Sequence, residues 1–184
     1  MLTATYSFLA IHAEQRVVRG ILARVMQYAQ ARLARQPMIE IGTLDEVLRR
    51  VAEFDAYWRA RKVDAYLMPA LRGMSAEVDH LMSELDATAE AARQSLTRAF
   101  DGLQRALEQG GITAGELLPF LEQYGRDVAA RFAREEEALF PLAERWLSND
   151  AWFAIGAQLL SDNDAHRSHR RVPPPALPQV VAMV

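Results

Sequence analysis

The stretch RFAREEEALFPLAERW, residues 131–146, decides how the chain is read. Its apolar residues continue a helical stripe stepping by three and four: Leu117, Leu121, Tyr124, Val128, then Leu139 and Leu142. Arg131 and Glu135 interrupt that stripe one turn apart, and Pro141 follows. A buried carboxylate or guanidinium is costly unless paired. Two readings are open. In one, Arg131 and Glu135 neutralise each other inside the protein, with Gln15, which interrupts the stripe between Ile11 and Val18, meeting leftover hydrogen-bond demand. In the other the helix is rotated, and the two form an ordinary rim pair worth a few tenths of a kcal/mol.

Working outward, the same periodicity runs through most of the chain. A first helix spans about 5–35 and is closed by Pro37. A second spans about 44–71, with Thr43 and Glu46 at the spacing of a capping box and Leu44, Val47, Val51, Phe54 and Trp58 as its stripe. A third spans about 76–109 behind Ser75 as N-cap and is stopped by Gly110 and Gly111. A fourth follows a second capping box, Thr113 with Glu116, and runs to about 147, with a kink or separate first turn expected at Pro119. A short fifth helix is expected over about 149–160. From residue 162 the sequence turns basic, then proline-rich, and reads as a tail spanning 162–184. The helical region is 1–161. Strand-like alternation is absent, and the connections are short. The expected fold is therefore all-α, an up-down-up-down four-helix bundle.

The totals narrow the function. The chain has 184 residues, a formal net charge of −3 and no cysteine. That excludes disulfides and thiolate chemistry, and nothing in the charge balance points to nucleic acid or an anionic membrane. The first residues lack the pattern of a signal peptide, and no apolar run has the length of a membrane span. The expectation is a soluble, cytoplasmic protein. No phosphate-cradling glycine loop, Ser/His/Asp arrangement or zinc signature is visible, so no enzyme activity is expected.

The chain also carries an internal repeat. RARKVDAYLMPAL (59–71) aligns without gaps on RFAREEEALFPLA (131–143), matching Arg59 with Arg131, Leu67 with Leu139, Met68 with Phe140 and Pro69 with Pro141. EEEALFPLAERWL resembles the fourth-helix motif of the hemerythrin-like family, the HHE cation-binding domains, and the resemblance extends over roughly 8–147. It implies a four-helix bundle around a non-haem di-iron centre held by His and Glu. Carried over by residue, the ligand positions fall on Gln15, Arg59, Val63, Ser75, Arg131 and Glu135, and only Glu135 keeps a ligand side chain. The expectation is a degenerate site: an interior polar network of Gln15, Arg59, Ser75, Arg131 and Glu135, with no metal cofactor. His12 is a candidate residual ligand, sharing a face with Gln15, whereas His80 points away from its helix's stripe. His166 and His169 read as a solvated basic segment.

The function expected is that of a non-catalytic binding or regulatory module for a small ligand or protein partner, with a homodimer as a candidate assembly. The alternative is a non-haem iron protein that binds oxygen or nitric oxide, or senses iron.

Overall fold

A computed structural model describes residues 2–34 and 38–169, with side chains over 5–34 and 38–161. Among the described residues the chain is helical, with no strand beyond a single antiparallel bridge between Ile39 and Ile112. Helix α1 covers Leu2–Leu33 and α2 covers Ile41–Arg59. Then come a π turn, Val63–Leu67, and a short α3, Met68–Leu71. Helix α4 covers Ala76–Gln109, and α5 covers Ala114–Arg134. A second π turn, Glu135–Leu139, leads into α6, Phe140–Trp146, and α7 covers Asn149–His169. No helix among the described residues is long and apolar enough to cross a membrane.

Several helix ends follow from local chemistry. The Ser75 hydroxyl accepts the Val78 N–H at 3.2 Å, satisfying one free donor of α4's first turn. Helix α4 stops at Gly110, whose φ of 82° is a left-handed cap that a side chain would strain. At α5 the Glu116 carboxylate reaches back to the Thr113 N–H at 3.0 Å and its hydroxyl at 2.7 Å. Ile112 and Leu117 both close over Gly102 of α4, where a Cβ would stand 3.2 Å and 3.3 Å from their Cδ1 atoms.

Four expectations are corrected. Thr43 does not cap α2: the helix begins earlier, at Ile41, and Thr43 turns inward. Its expected partner Glu46 instead accepts from Tyr28 Oη at 2.7 Å and Arg50 Nη2 at 3.0 Å, ligands from another helix and the next turn. The second segment is not one helix, because α2 ends at Arg59 and the chain re-enters helix through a π turn. Of the kink or separate first turn expected at Pro119, the separate turn does not form, because Pro119 lies inside α5. Helix α7 runs to His169, past the expected end at 160. Pro37, the remainder of the tail, and the side chains of His166 and His169 lie outside the described residues.

The π turns fall in matching registers of the internal repeat. Each is closed by an N–H bonding five residues back, Met68 to the Val63 carbonyl and Phe140 to the Glu135 carbonyl. Each stands immediately before a Phe/Met-Pro step. A proline cannot donate and crowds the carbonyl four residues earlier. Widening the preceding turn by one residue swings that carbonyl aside.

Helix α1 packs on α2, α5 and α7, and α4 packs on α2 and α5. The apolar interior they enclose is in two parts. One contains Val18, Leu22, Val51, Trp58, Leu96, Tyr124, Val128 and Phe132. The other contains Ile11, Val63, Leu67, Leu85, Leu139, Phe140, Trp152 and Ile155. Among the described residues, none belongs to both. Along each crossing segment the change falls at one level: between Ile11 and Val18, Trp58 and Val63, Leu85 and Ala92, Phe132 and Leu139.

Candidate functional site

A layer of polar side chains occupies that level. Gln15, Arg61, Arg131 and Glu135 are buried, at 1%, 1%, 3% and 0% exposure. Asp64 completes the layer with its side chain 22% exposed. Two guanidiniums thus face two carboxylates, and the layer is neutral as a unit.

The hydrogen bonding is close to saturated. Arg61 uses all five N–H donors. Nη2 donates to Glu135 Oε1 at 2.8 Å and Nη1 to Glu135 Oε2 at 2.9 Å, a two-pronged fork. The other donors go to Gln15 Oε1 at 2.7 Å, Asp64 Oδ2 at 3.0 Å and, from Nε, the Trp58 carbonyl at 2.8 Å. Arg131 donates from Nε to Glu135 Oε1 at 3.0 Å, from Nη1 to the Leu85 carbonyl at 3.1 Å, and from Nη2 to Asp64 Oδ1. The Nη2 group also lies 3.4 Å from the Met68 sulfur. Gln15 Nε2 donates to Glu135 Oε2 at 3.0 Å and to the Phe132 carbonyl at 3.3 Å. Every long segment crossing this level therefore contributes a partner, α4 through the backbone of Leu85.

The rings beside the layer add cation–π contacts. The Arg61 guanidinium carbon stands 4.6 Å from the Phe132 ring centroid, and that of Arg131 stands 5.3 Å from Trp58. Trp58 also begins a second small network. Its Nε1 donates to Asp55 Oδ1 at 3.0 Å and Tyr124 Oη at 3.1 Å, and the tyrosine hydroxyl lies 3.2 Å from the same Asp55 oxygen.

Ionisation follows from this packing. Burial alone would push the Arg61 guanidinium down, but hydrogen bonding and attraction to Glu135, then to Asp64, outweigh it and hold Arg61 above the ordinary arginine value. For Asp64, burial wins: it lifts the carboxyl above the ordinary aspartate value despite Arg131 and Arg61. The Tyr124 hydroxyl is pushed far up, first by burial and then by the charge of Asp55.

Of the residues singled out in the sequence, Gln15, Arg131 and Glu135 meet in this layer. Two others are corrected. Arg59 lies outside it, pairing with Asp55 at 2.8 Å, because α2 ends there and the guanidinium turns toward the surface. Ser75 lies at the start of α4, where its hydroxyl caps the helix. His12 sits between Phe8 and Phe140, with centroids at 4.1 Å and 4.4 Å and both rings tilted 55° to it, and its Nε2 is buried without a hydrogen-bond partner. His80 is exposed and pairs with Glu84. Arg61 and Asp64 were missed. The signal for Arg61 was present: stepping three residues past Trp58 along the α2 stripe lands on it.

The layer is ill suited to a cation. A carboxylate offers about four lone-pair sites. In Glu135 two N–H donors approach each oxygen, so no lone pair faces a vacant position. Among the described residues, no three His, Cys, Asp or Glu side chains gather as metal ligands would. Solvent reaches the layer from a cavity of about 290 Å³ lined by Trp58, Arg59, Asp64, Asp86, Glu90 and Arg131. No family model matches the chain, and no curated protein or solved structure matches it either.

Proposed function

We propose that the chain is a hemerythrin-like, up-down four-helix bundle in which guanidinium groups have taken the place of the metal ions, serving as a non-catalytic binding or regulatory module of the cytoplasm. The observation that carries this reading is the state of Glu135. It stands at the one position keeping a ligand side chain, and both its oxygens are engaged by Arg61, Arg131 and Gln15. Arginine suits this substitution because it stays charged and its planar fork matches a carboxylate. The matched registers of the two π turns support the duplicated plan. On this reading the cavity beside Asp64 and Arg131 is where a small ligand meets the layer.

One observation favours a second reading, a single residual ion on His12: its Nε2 is buried and unpartnered. Metal analysis after anaerobic incubation with ferrous iron and desalting separates the two. The expected result is no retained iron. A retained pair of irons per chain would overturn the proposal. A single iron lost in His12→Ala would establish the second reading in its place.

A further inference from the structure

The polar layer lies between the two apolar clusters of the described residues, and the backbone is irregular at the same level. Two of the four segments crossing it do so at irregular turns. The α2 side ends at Arg59 and resumes at the Val63–Leu67 π turn; the α5 side passes into the Glu135–Leu139 π turn. The other two, α1 and α4, cross as continuous helix, but both enter the second apolar half by their N-terminal ends. Those ends can fray without breaking the helix beyond. For one half to open while the other stays packed, two segments give at irregular turns and the N-terminal parts of α1 and α4 unwind back to the layer.

We infer that the two apolar halves open as separate units, and that the Arg61–Glu135 fork is the latch holding them together. The opening unit comprises the start of α1, residues 63–85 and residues 135–159, built on Leu67, Leu85, Leu139, Phe140 and Trp152. The stable unit is built on Val51, Trp58, Leu96, Tyr124 and Phe132. In a continuous apolar core, interdigitated side chains couple one end to the other. Here the level between the units is crossed by directional hydrogen bonds, each lost at a definite separation. Arg61 leaves the chain between the units, and Glu135 is the first residue of the opening unit's π turn. Separating the units breaks both prongs of the fork and exposes the layer to water through the cavity beside Asp64.

Native-state hydrogen exchange of the full chain in sub-denaturing urea tests this, since locally opening units exchange with their own rates and denaturant slopes. The amides of 63–85 and 135–159 are expected to exchange as a group, about tenfold or more faster than those of 44–58 and 117–132, with a smaller urea slope. A single rate and slope for both groups would overturn the inference. Arg61→Met tests the latch: the fork is broken in the partly opened and in the fully unfolded state alike, so both groups are expected to accelerate in parallel, by about a hundredfold or more. Acceleration of the second group with the first unchanged would show that the fork survives the partial opening, and would remove the latch. Should Arg61→Met fail to fold, Arg61→Lys keeps the charge, removes the fork and is read in the same way.

Discussion

The Arg61 guanidinium and the Glu135 carboxylate, 74 positions apart in sequence, meet as two parallel hydrogen bonds of 2.8 and 2.9 Å with neither side chain open to solvent. Removing one member of such a pair leaves the buried layer with an unbalanced charge. Arg61→Met is therefore expected to destabilise the fold by about 3–5 kcal/mol. Replacing both, Arg61→Met with Glu135→Met, leaves Arg131 and Asp64 as a neutral pair and is expected to cost clearly less than the single substitution. Urea denaturation of the wild type and three variants completes the cycle. A double variant as unstable as the sum of the singles would mean the fork contributes no coupling.

Why part of this layer could be read from sequence, and part not, is a matter of phase. Gln15, Arg131 and Glu135 sit where an apolar stripe of constant step should have another apolar residue, so their interruption is visible. Arg61 occupies the next step of the α2 stripe, but the gap-free repeat sets Arg59 opposite Arg131 and draws attention two residues away. The turn at Ala60 then decides which of the two arginines faces inward, and that turn has no sequence signature. Asp64 carries no mark because its role depends on a π turn that displaces it relative to a straight helix. The failed cap at Thr43 has the same kind of cause: Tyr28 and Arg50 compete for Glu46, and Tyr28 comes from a different helix.

Asp64 gives the layer a pH signature. Its carboxyl is raised above the ordinary aspartate value in the folded protein, chiefly by burial. In the window between the ordinary and the raised value the folded state binds more protons than the unfolded one, so this group's contribution falls as pH rises. It is fully present below the ordinary aspartate value and is lost as pH rises through the raised one. The stability difference between wild type and Asp64→Asn should therefore shift against the wild type across that window. Stability curves at a series of pH values measure it. A difference growing in favour of the wild type as pH rises would show that the arginines, not burial, dominate at this carboxylate.

The Trp58–Asp55–Tyr124 network supports the floor of the layer, because Trp58 also accepts the face of Arg131. In Tyr124→Phe the Trp58 Nε1 keeps its bond to Asp55, so the expected loss is about 0.5–1.5 kcal/mol, the net worth of one hydrogen bond. Asp55→Ala strips a partner from Trp58, Tyr124 and Arg59 together and should cost more. Thermal or urea unfolding of the two variants ranks them; a Tyr124→Phe cost exceeding that of Asp55→Ala would mean the tyrosine hydroxyl, not the carboxylate, organises the network.

Two helical glycines should respond differently to alanine because their surroundings differ. At Gly20 of α1 an added Cβ meets nothing closer than Arg24 Nη2 at 3.9 Å, the tip of a long side chain. The backbone is ordinary helix there, so Gly20→Ala should stabilise by about 0.5–1 kcal/mol, the usual helix-interior difference. At Gly125 of α5 the same Cβ would stand 3.1 Å from Met26 Cγ and 3.3 Å from its sulfur, contacts near the root of the side chain that must be relieved by moving α1 or repacking Met26. Gly125→Ala should accordingly gain less than Gly20→Ala, or lose stability. Chemical denaturation of the two single variants decides it: equal gains would mean that the α1–α5 contact at Met26 yields freely, and that this helix pair is less tightly set than its geometry indicates.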